Sequence, residues 1–400
     1  MTNNNDKKVL NVPLLRFPEF TEEWKEHCLA EYLDFKNGLN PSANKFGSGI
    51  KFISVMDILN NNFITYDCIR TSVKITPEEQ VAFAVEKGDM LFQRSSETLE
   101  DVGRANVYMD ENPAVFGGFV IRGKKKTEYN PMFFRYLLAS PYARKKIIPM
   151  GAGAQHFNIG QDGLSKVKLH FPILQEQQKI AALLRLIDER ITTQNKIIED
   201  LKKLKSAIIE MEYTHKTKGN THIGDFIEQT SKRNKDSAIQ NVLSVSNSQG
   251  FIQQCEQFEN RSVASDDISN YKIVERNCFA FNPARINVGS IARLTTFNRG
   301  IVSPMYICFR TKDNLFPEYL DYYFESKQFF TEIQKRLEGS VRQCLSYEGL
   351  CNIPLCIPTV EVQQQTGKRL STLVQEIKLE IDFLELLQKQ KKFLLHQMFI

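Results

Sequence analysis

The chain has 400 residues, of which 42% are hydrophobic and 25% are charged, and its formal net charge is +5. This length is too great for one ordinary hydrophobic core and predicts two or more domains. No apolar run approaches the roughly 18 residues of a membrane span, and the weak positive charge argues against binding DNA by bulk electrostatics alone.

The opening MTNNNDKKVL has no apolar stretch of the kind found in secretory signals. The eight cysteines are scattered without zinc-binding spacing. We therefore expect a cytoplasmic protein with reduced thiols and no metal site.

Residues 1–170 predict a first globular domain of mixed structure. The runs FISVMDI and VAFAVEKGDMLFQR lie between turn residues and predict short strands, and residues 131–147 predict an amphipathic helix. These patterns favour an α+β fold with a curved, mainly antiparallel sheet.

Residues 171–218 predict a long spacer helix that follows Pro172 and ends near Lys218-Gly219-Asn220. A helix of about 40 residues is about 60 Å long. Apolar residues recur at alternating steps of three and four, which predicts a coiled-coil seam. Polar Gln194 and Lys205 interrupt this seam, whose apolar members are Leu184, Ile187, Ile191, Ile198, Leu201 and Ile208.

Residues 219–356 predict a second α+β domain, and residues 357–400 a second spacer helix. NVLSVS and SPMYICFR predict strands, and residues 317–337 an amphipathic helix. The second seam is interrupted by Glu380 and Lys391, and its apolar members are Leu370, Leu373, Ile377, Leu384, Leu387 and Leu394.

The second half of the chain repeats the first at an offset of 186 residues. The offset pairs Pro131 with Pro317 and Tyr136 with Tyr322, and VEKGDMLFQRSS pairs with VERNCFAFNPAR after a small shift of register. Two such copies predict packing about an approximate twofold axis, with the long helices antiparallel and a globular domain at each end.

Several stretches resemble the specificity subunit of type I restriction–modification systems. They are LRFPEF followed by Trp24, the run GAGAQHFNI, and a proline followed by Glu176-Gln177 and Ile180 at the start of a duplicated coiled-coil helix. The second copy departs from this motif, because Val362 replaces the glutamate and Thr366 the isoleucine.

The resemblance implies two target recognition domains that each read one half of a split, asymmetric DNA sequence, with the helices setting the unread spacer. It implies as partners double-stranded DNA, two methyltransferase subunits and two restriction (motor-nuclease) subunits. S-adenosylmethionine, ATP and Mg²⁺ are then expected on those partners, and this chain is expected to contain no catalytic residue and no bound cofactor.

The sequence itself has no P-loop, and Asn282-Pro283-Ala284-Arg285 lacks the second proline and the aromatic residue of an adenine methyltransferase tetrapeptide. A self-sufficient restriction enzyme is therefore disfavoured. The alternative from another class is a two-headed scaffold that binds proteins and not DNA.

Base edges are read by Arg, Lys, Asn and Gln, and phosphates by Lys, Arg, Ser and backbone amides. The predicted DNA contacts of the first domain are Gln93, Arg94, Ser95, Ser96, Lys124, Lys125, Lys126, Gln155, His156 and Asn158. Those of the second are Lys232, Arg233, Lys235, Asn282, Arg285, Asn287, Arg342 and Gln343. The competing interpretation of each is a solvated polar loop. Apolar residues off the seam, namely Leu183, Ile197, Leu204 and Ile209, are expected to pack on the domains or on partner helices.

Overall fold

The computed structural model describes residues 11–214, 221–247, 249–254, 267–339 and 343–400. The chain divides into two compact units, one formed by Met1–Asn195 with Asp382–Ile400 and the other by Lys196–Ile381. Each unit contains one globular part, which we call the first head (residues 11–171) and the second head (residues 221–356), together with portions of both long helices.

The first head is built on a four-stranded antiparallel sheet. Its strands are β1 Lys25–Cys28, β2 Leu33–Asn37, β3 Phe46–Ile53, β4 Ser72–Val73, β5 Met90–Gln93, β6 Ser95–Ser96, β7 Ala105–Val107, β8 Val115–Phe116, β9 Val120–Lys125, β10 Phe157–Asn158 and β11 Lys168–Phe171. Its helices are α1 Leu29–Tyr32, α2 Val55–Asn60, α3 Pro77–Ala82, α4 Pro131–Ala139, α5 Pro141–Ile147 and α6 Gln161–Ser165, and the long helix α7 Leu174–Thr214 follows. The central sheet has the order β2-β9-β5-β7, beside a β4-β3-β8 sheet and the pairs β1-β11 and β6-β10.

The second head repeats this plan. Its strands are β12 Ile227–Thr230, β13 Leu243–Ser246, β14 Gly250–Gln253, β15 Lys272–Glu275, β16 Phe279–Phe281, β17 Ile291–Arg293, β18 Arg299–Val302 and β19 Ile307–Thr311. Its helices are α8 Ile223–Phe226, α9 Pro317–Tyr323, α10 Lys327–Gln334 and α11 Tyr347–Cys351, followed by the long helix α12 Val360–Gln397. Its sheet order β12-β19-β16-β17 reproduces β2-β9-β5-β7 strand for strand. The α+β fold and the internal repeat predicted from the sequence are thus confirmed.

Some local predictions need correction. In the run VAFAVEKGDMLFQR, Val81 and Ala82 end α3, and only β5 is a strand. FISVMDI is not one strand, because Ser54 ends β3 and caps α2: its N–H donates to Asp57 Oδ2 at 2.7 Å. The helices predicted over 131–147 and 317–337 are each broken in two. The break falls at Ser140 in one and at Ser326 in the other, and each serine hydroxyl accepts from the backbone N–H three residues later.

A glutamine near the start of each long helix connects that helix to the adjacent head. Gln177 Oε1 accepts from Asn130 N–H at 3.0 Å, and its Nε2 donates to Pro172 O at 3.0 Å. Gln363 repeats both bonds, to Phe316 N–H at 2.7 Å and to Pro358 O at 2.9 Å. The glutamine of the duplicated motif therefore ties the start of each long helix to the start of α4 or α9.

The long helices pair in opposite directions within each unit. In the first unit, Leu394 near the end of α12 shares a core cluster with Leu184 near the start of α7. In the second unit, Leu370 near the start of α12 shares a cluster with Ile209 near the end of α7. The start of each helix meets the end of the other, as the predicted antiparallel coiled coil requires.

The predicted seam is the buried stripe of both helices. Its most buried members are Leu184, Ile187, Ile198, Leu370, Ile377, Leu387 and Leu394, and its partly exposed members are Ile191, Leu201, Ile208, Leu373 and Leu384. Off the seam, Leu183 and Ile209 pack on the heads, whereas Ile197 and Leu204 remain exposed. Among the described residues, no helix combines the length and apolar character needed to cross a bilayer.

Candidate nucleic-acid interface

Two polar segments of the first head, far apart in the sequence, form one surface. Strands β6 and β10 pair Ser95 with Asn158, and the Ser95 hydroxyl is hydrogen-bonded to the Asn158 side chain. Ile159 N–H also donates to Arg94 O at 2.9 Å. The predicted contact groups at 93–96 and 155–158 are therefore brought together by non-local strand pairing.

The glycine-rich loop of residues 152–158 presents two further polar side chains on this surface. Ala152 and Asn158 exchange two backbone hydrogen bonds of 2.9 Å, which close the loop. Gly153 has φ +147°, and a Cβ there would lie 2.0 Å from His156 O, so the loop requires glycine at this position. Gln155 and His156 are exposed, and both can reach a ligand.

A tight turn lies beside Arg94. Val120 N–H donates to Gly117 O at 2.8 Å and closes the turn 117–120. Arg94 is bonded to it twice, from its backbone N–H to Phe119 O at 2.8 Å and from Nη1 to Gly118 O at 3.3 Å. The Phe119 side chain is 67% exposed. Sequence reasoning did not identify Phe119 as a contact residue, because VFGGFV gives no sign of which phenylalanine is buried.

Other predicted contacts of the first head lie elsewhere. Gln93 is only 5% exposed, and its amide donates to Ser95 O at 3.0 Å, so it supports the surface from beneath. Lys124, Lys125 and Lys126 lie at the opposite end of β9 from Phe119, which is on the order of 17 Å away for a strand of this length. The structure does not bring them to the polar surface.

All three of these lysines have partners within the head. Lys124 Nζ lies 3.2 Å from Glu86 Oε1, and Lys125 Nζ lies 3.1 Å from Glu128 Oε1. Lys126 Nζ donates to Ala30 O at 3.0 Å. Their charge is partly compensated, and their predicted contact with phosphate stays a prediction.

The second head builds the corresponding surface with different side chains. Leu345 N–H donates to Pro283 O at 3.1 Å, and Glu338 and Cys344 exchange two backbone hydrogen bonds of 2.9 Å. These bonds correspond to those of Ile159 and of the 152–158 loop. Of the predicted contacts, Arg285 and Gln343 are exposed and Asn282 and Asn287 are half-buried, whereas Arg342 lies outside the described residues.

The tight turn also recurs in the second head. Tyr306 N–H donates to Ser303 O at 3.0 Å and closes the turn 303–306. Met305, at the position of Phe119, is 61% exposed. Pro283 stands at the position of Arg94 and has no backbone N–H to donate to the turn. The contact with the turn comes instead from Asn282 Nδ2, which lies 3.8 Å from Met305 Sδ.

A basic hollow lies next to this turn. It is lined by the predicted residues Lys232, Arg233 and Lys235 together with Arg299, and among the described residues the carboxylate in its lining is that of Asp236. Its wall is connected to the turn through Lys272, which forms a backbone bridge with Arg233 and whose Nζ donates to Tyr306 O at 2.6 Å. Four cations around one hollow favour an anion such as phosphate.

The thiols close to the second surface are held in the neutral form. Burial raises the pKa of the Cys308 thiol to about 12, and burial also raises the pKa of Cys278. In the part of the chain that the structure describes, no group of three or more His, Cys, Asp or Glu side chains could hold a metal ion. What both surfaces offer a ligand is hydrogen-bonding groups, positive charge and exposed apolar side chains, among them Phe119 and Met305.

Comparison with solved structures identifies the same fold. The S subunit of a type I restriction–modification system from M. genitalium superposes with a TM-score of 0.59 at 15% identity, covering 97% of this chain and 99% of that one. A chain from a structure of complex assembly and conformational transition of the type I R-M system gives 0.55 at 13% identity, covering 93% and 96%.

Two curated relatives match about half of the chain in sequence. The putative type I restriction enzyme MjaX specificity subunit of Methanocaldococcus jannaschii is 26% identical over 220 residues, which are 52% of this chain and 51% of that protein. The HindI specificity subunit of Haemophilus influenzae is 26% identical over 196 residues, which are 47% and 40%. The chain spans about half the length of the curated relatives it matches.

A family model described as the type I restriction modification DNA specificity domain matches residues 21–203. The matched span covers the first head and most of α7, and the repeat described above extends the same architecture over the second half. Residues 21–203 therefore match the family model of the type I restriction–modification DNA specificity domain, and the chain as a whole has the fold of the S subunit structure from M. genitalium.

Proposed function

We propose that this chain is the DNA-reading subunit of a type I restriction–modification complex, in which each head reads one half of a split, asymmetric DNA sequence. One observation carries the proposal: the same backbone arrangement is built twice and carries different side chains. Arg94, Ser95 and Asn158 occupy it in the first head, and Asn282 and Arg285 in the second. Two heads with the same backbone arrangement but different polar side chains are suited to recognising two different half-sites.

The residue types on these surfaces suit base recognition. An arginine guanidinium matches the O6 and N7 acceptors of guanine, and an asparagine or glutamine amide matches the N6 and N7 atoms of adenine. Arg285, Gln343 and Gln155 are exposed and can make such contacts. The basic hollow of the second head supplies phosphate contacts, which position the duplex without reading it.

The remaining parts of the proposal follow from the family. The two long helices set the number of unread base pairs between the half-sites, since both run from one compact unit into the other. Two methyltransferase subunits and two restriction subunits assemble on this chain and contribute S-adenosylmethionine, ATP and Mg²⁺. The chain itself recognises the sequence and catalyses no step.

The test combines methylation mapping with exchange of one head. The chain is produced with its modification subunit, methylated adenines are mapped, and residues 20–165 are then replaced by the corresponding segment of another specificity subunit. We expect only one half of the methylated sequence to change. A change in both halves would contradict the proposal.

Gel-shift measurements on the purified complex distinguish a DNA-reading subunit from a scaffold that binds only proteins. The complex is expected to bind the mapped duplex more tightly than duplexes with one half-site scrambled or with the spacer altered. A scaffold that binds only proteins would show equal affinity for all of these duplexes.

A further inference from the structure

The two heads share an exposed apolar side chain at one position of one turn. Phe119 is the third residue of the turn 117–120, and Met305 is the third residue of the turn 303–306. The two residues are related by the same offset of 186 that relates the rest of the repeat, and they are 67% and 61% exposed. The recurrence therefore involves position, backbone conformation and exposure together.

Stability of the fold does not account for these side chains. Glycine, asparagine, aspartate and serine are the usual residues in the second half of a tight turn, and an apolar side chain stabilises a protein in proportion to the area it buries. Phe119 and Met305 bury little. Large apolar groups at this position in both heads indicate contact with something outside the chain.

The turns present these side chains on fixed backbones. In the first head, a Cβ at Gly118 would lie 1.9 Å from Asn40 Oδ1, which shows how closely the turn packs on Asn40. Two hydrogen bonds from Arg94 hold the turn from the other side. In the second head, Pro304 fixes φ within the turn, and Lys272 Nζ binds Tyr306 O next to Met305.

Each of these apolar side chains lies beside a polar group of the candidate DNA-contact surface. Phe119 adjoins Arg94, and Met305 adjoins the amide of Asn282. In the major groove the one apolar feature of a base edge is the 5-methyl group of thymine, which proteins contact with side chains such as alanine, threonine and phenylalanine. In a step that contains an A·T pair, the apolar side chain can therefore contact the thymine methyl group while the polar group beside it bonds to a neighbouring base edge.

We propose that Phe119 and Met305 each contact the 5-methyl group of a thymine in the half-site read by their own head. This inference rests on the proposed function and adds to it a residue in each head that determines specificity. It requires that each half-site contain at least one thymine on either strand.

The test uses the purified complex of the chain with its modification subunit and a duplex of the mapped methylation sequence. Each thymine is replaced in turn by deoxyuridine, which lacks only the 5-methyl group. Removing one buried methyl group is expected to weaken binding about fourfold, at one thymine position for each head.

The variant F119A is expected to bind the normal duplex at least about fourfold more weakly. Its affinity should fall no further when deoxyuridine replaces the thymine whose methyl group contributes to binding by the wild type. M305A should do the same in the other half-site only. Val81→Ala in α3 and Phe330→Ala in α10 are matched controls, because these side chains are also exposed and lie on other elements of the same heads. Both controls should bind as the wild type does.

The outcomes separate the inference from the proposed function. Wild-type affinity in F119A and M305A overturns the inference, as does a thymine whose deoxyuridine effect persists in both variants. Weaker binding that is indifferent to deoxyuridine also overturns it and indicates insertion between bases. Weaker association with the modification subunit instead indicates a protein contact. If the wild-type complex does not prefer its mapped sequence over a scrambled duplex, the proposed function itself fails.

Discussion

Lys391, near the end of α12, forms an ion pair with Asp188 of α7 in the first unit. Asp188 is buried and also accepts a hydrogen bond from Tyr136 OH at 2.8 Å. In the second unit Lys205, which corresponds to Lys391 in the repeat, pairs with Glu325 at 2.6 Å. The two lysines that interrupt the apolar seams therefore provide the ion pairs that anchor the ends of the long helices.

Replacing Lys391 by methionine should destabilise the end of α12. The change leaves the Asp188 carboxylate, 7% exposed, without its closest cation, which we expect to cost about 2 kcal/mol, less than a fully buried pair because Lys391 is partly exposed. Hydrogen exchange of the amides of residues 391–398 should accelerate accordingly. Lys389→Met is the control, because Lys389 is exposed and its ion pair with Glu385 of the same helix is long, at 3.7 Å. Equal protection in the two variants would contradict the role assigned to Lys391.

Replacing the glutamine of the repeated motif should lower the stability of the chain by a similar amount in either half. Both glutamines are almost fully buried. Gln177 accepts one backbone hydrogen bond and donates one, whereas Gln363 accepts one and donates to both Pro358 O and Asn314 O. Substituting either by alanine leaves a buried N–H and a buried carbonyl unpaired, at a cost of about 1–3 kcal/mol in the free energy of unfolding. Glutamate should be no better, because a carboxylate cannot donate to Pro172 O or Pro358 O.

Urea unfolding of the full chain measures these losses. Gln178→Ala and Gln364→Ala are the controls, since these neighbouring glutamines occupy the next position in each copy and are exposed. A rescue of stability by glutamate at 177 or 363 would show that the donated hydrogen bond is unimportant.

The contrast between these glutamines and Phe119 shows what the sequence could predict. The motif around Gln177 and the seam residues follow local rules of helix period and offset, so the long helices and the duplication were predictable. The pairing of Ser95 with Asn158, which are 63 residues apart, depends on the register of two strands, and helix period or offset does not determine such a register. The exposure of Phe119 likewise depends on packing and not on its neighbours in sequence.

Glu176 marks an asymmetry between the two copies. Its carboxylate accepts from Arg16 Nε at 2.7 Å, from Arg16 Nη2 at 2.8 Å and from Trp24 Nε1 at 3.2 Å. Glu176→Gln should destabilise the first unit by about 3 kcal/mol, because it leaves the Arg16 guanidinium without its anion in a buried setting. Val362→Ala, the matched change in the second copy, shortens an apolar side chain that is 39% exposed and should change stability by less than about 0.5 kcal/mol. Thermal unfolding of the two variants tests this difference, and equal shifts would refute it.

Removing a cation from the basic hollow of the second head should weaken the salt-dependent part of the affinity for duplex DNA. Lys232→Ala or Arg299→Ala, measured in the complex with the modification subunit, should weaken binding to specific and scrambled duplexes by similar factors. The slope of log K against log salt should fall by about 1 for each phosphate contact removed. Lys335→Ala is the control, because Lys335 lies on the same head and pairs with Glu332 at 2.6 Å. A loss confined to the specific duplex would mean that the hollow reads bases.

Lengthening both long helices should lengthen the unread spacer. Seven residues inserted after Asn195 and seven after Ile381, where the chain passes between compact units, add one heptad to each helix and preserve the apolar seam. The added length of about 10 Å corresponds to about three base pairs at 3.4 Å each. Methylation mapping should then find both half-sites unchanged and the spacer longer. The same insertion after Asn195 alone puts the two seams out of register, and methylation should be lost. Unchanged spacing in the double insertion would show that the helices do not determine the distance.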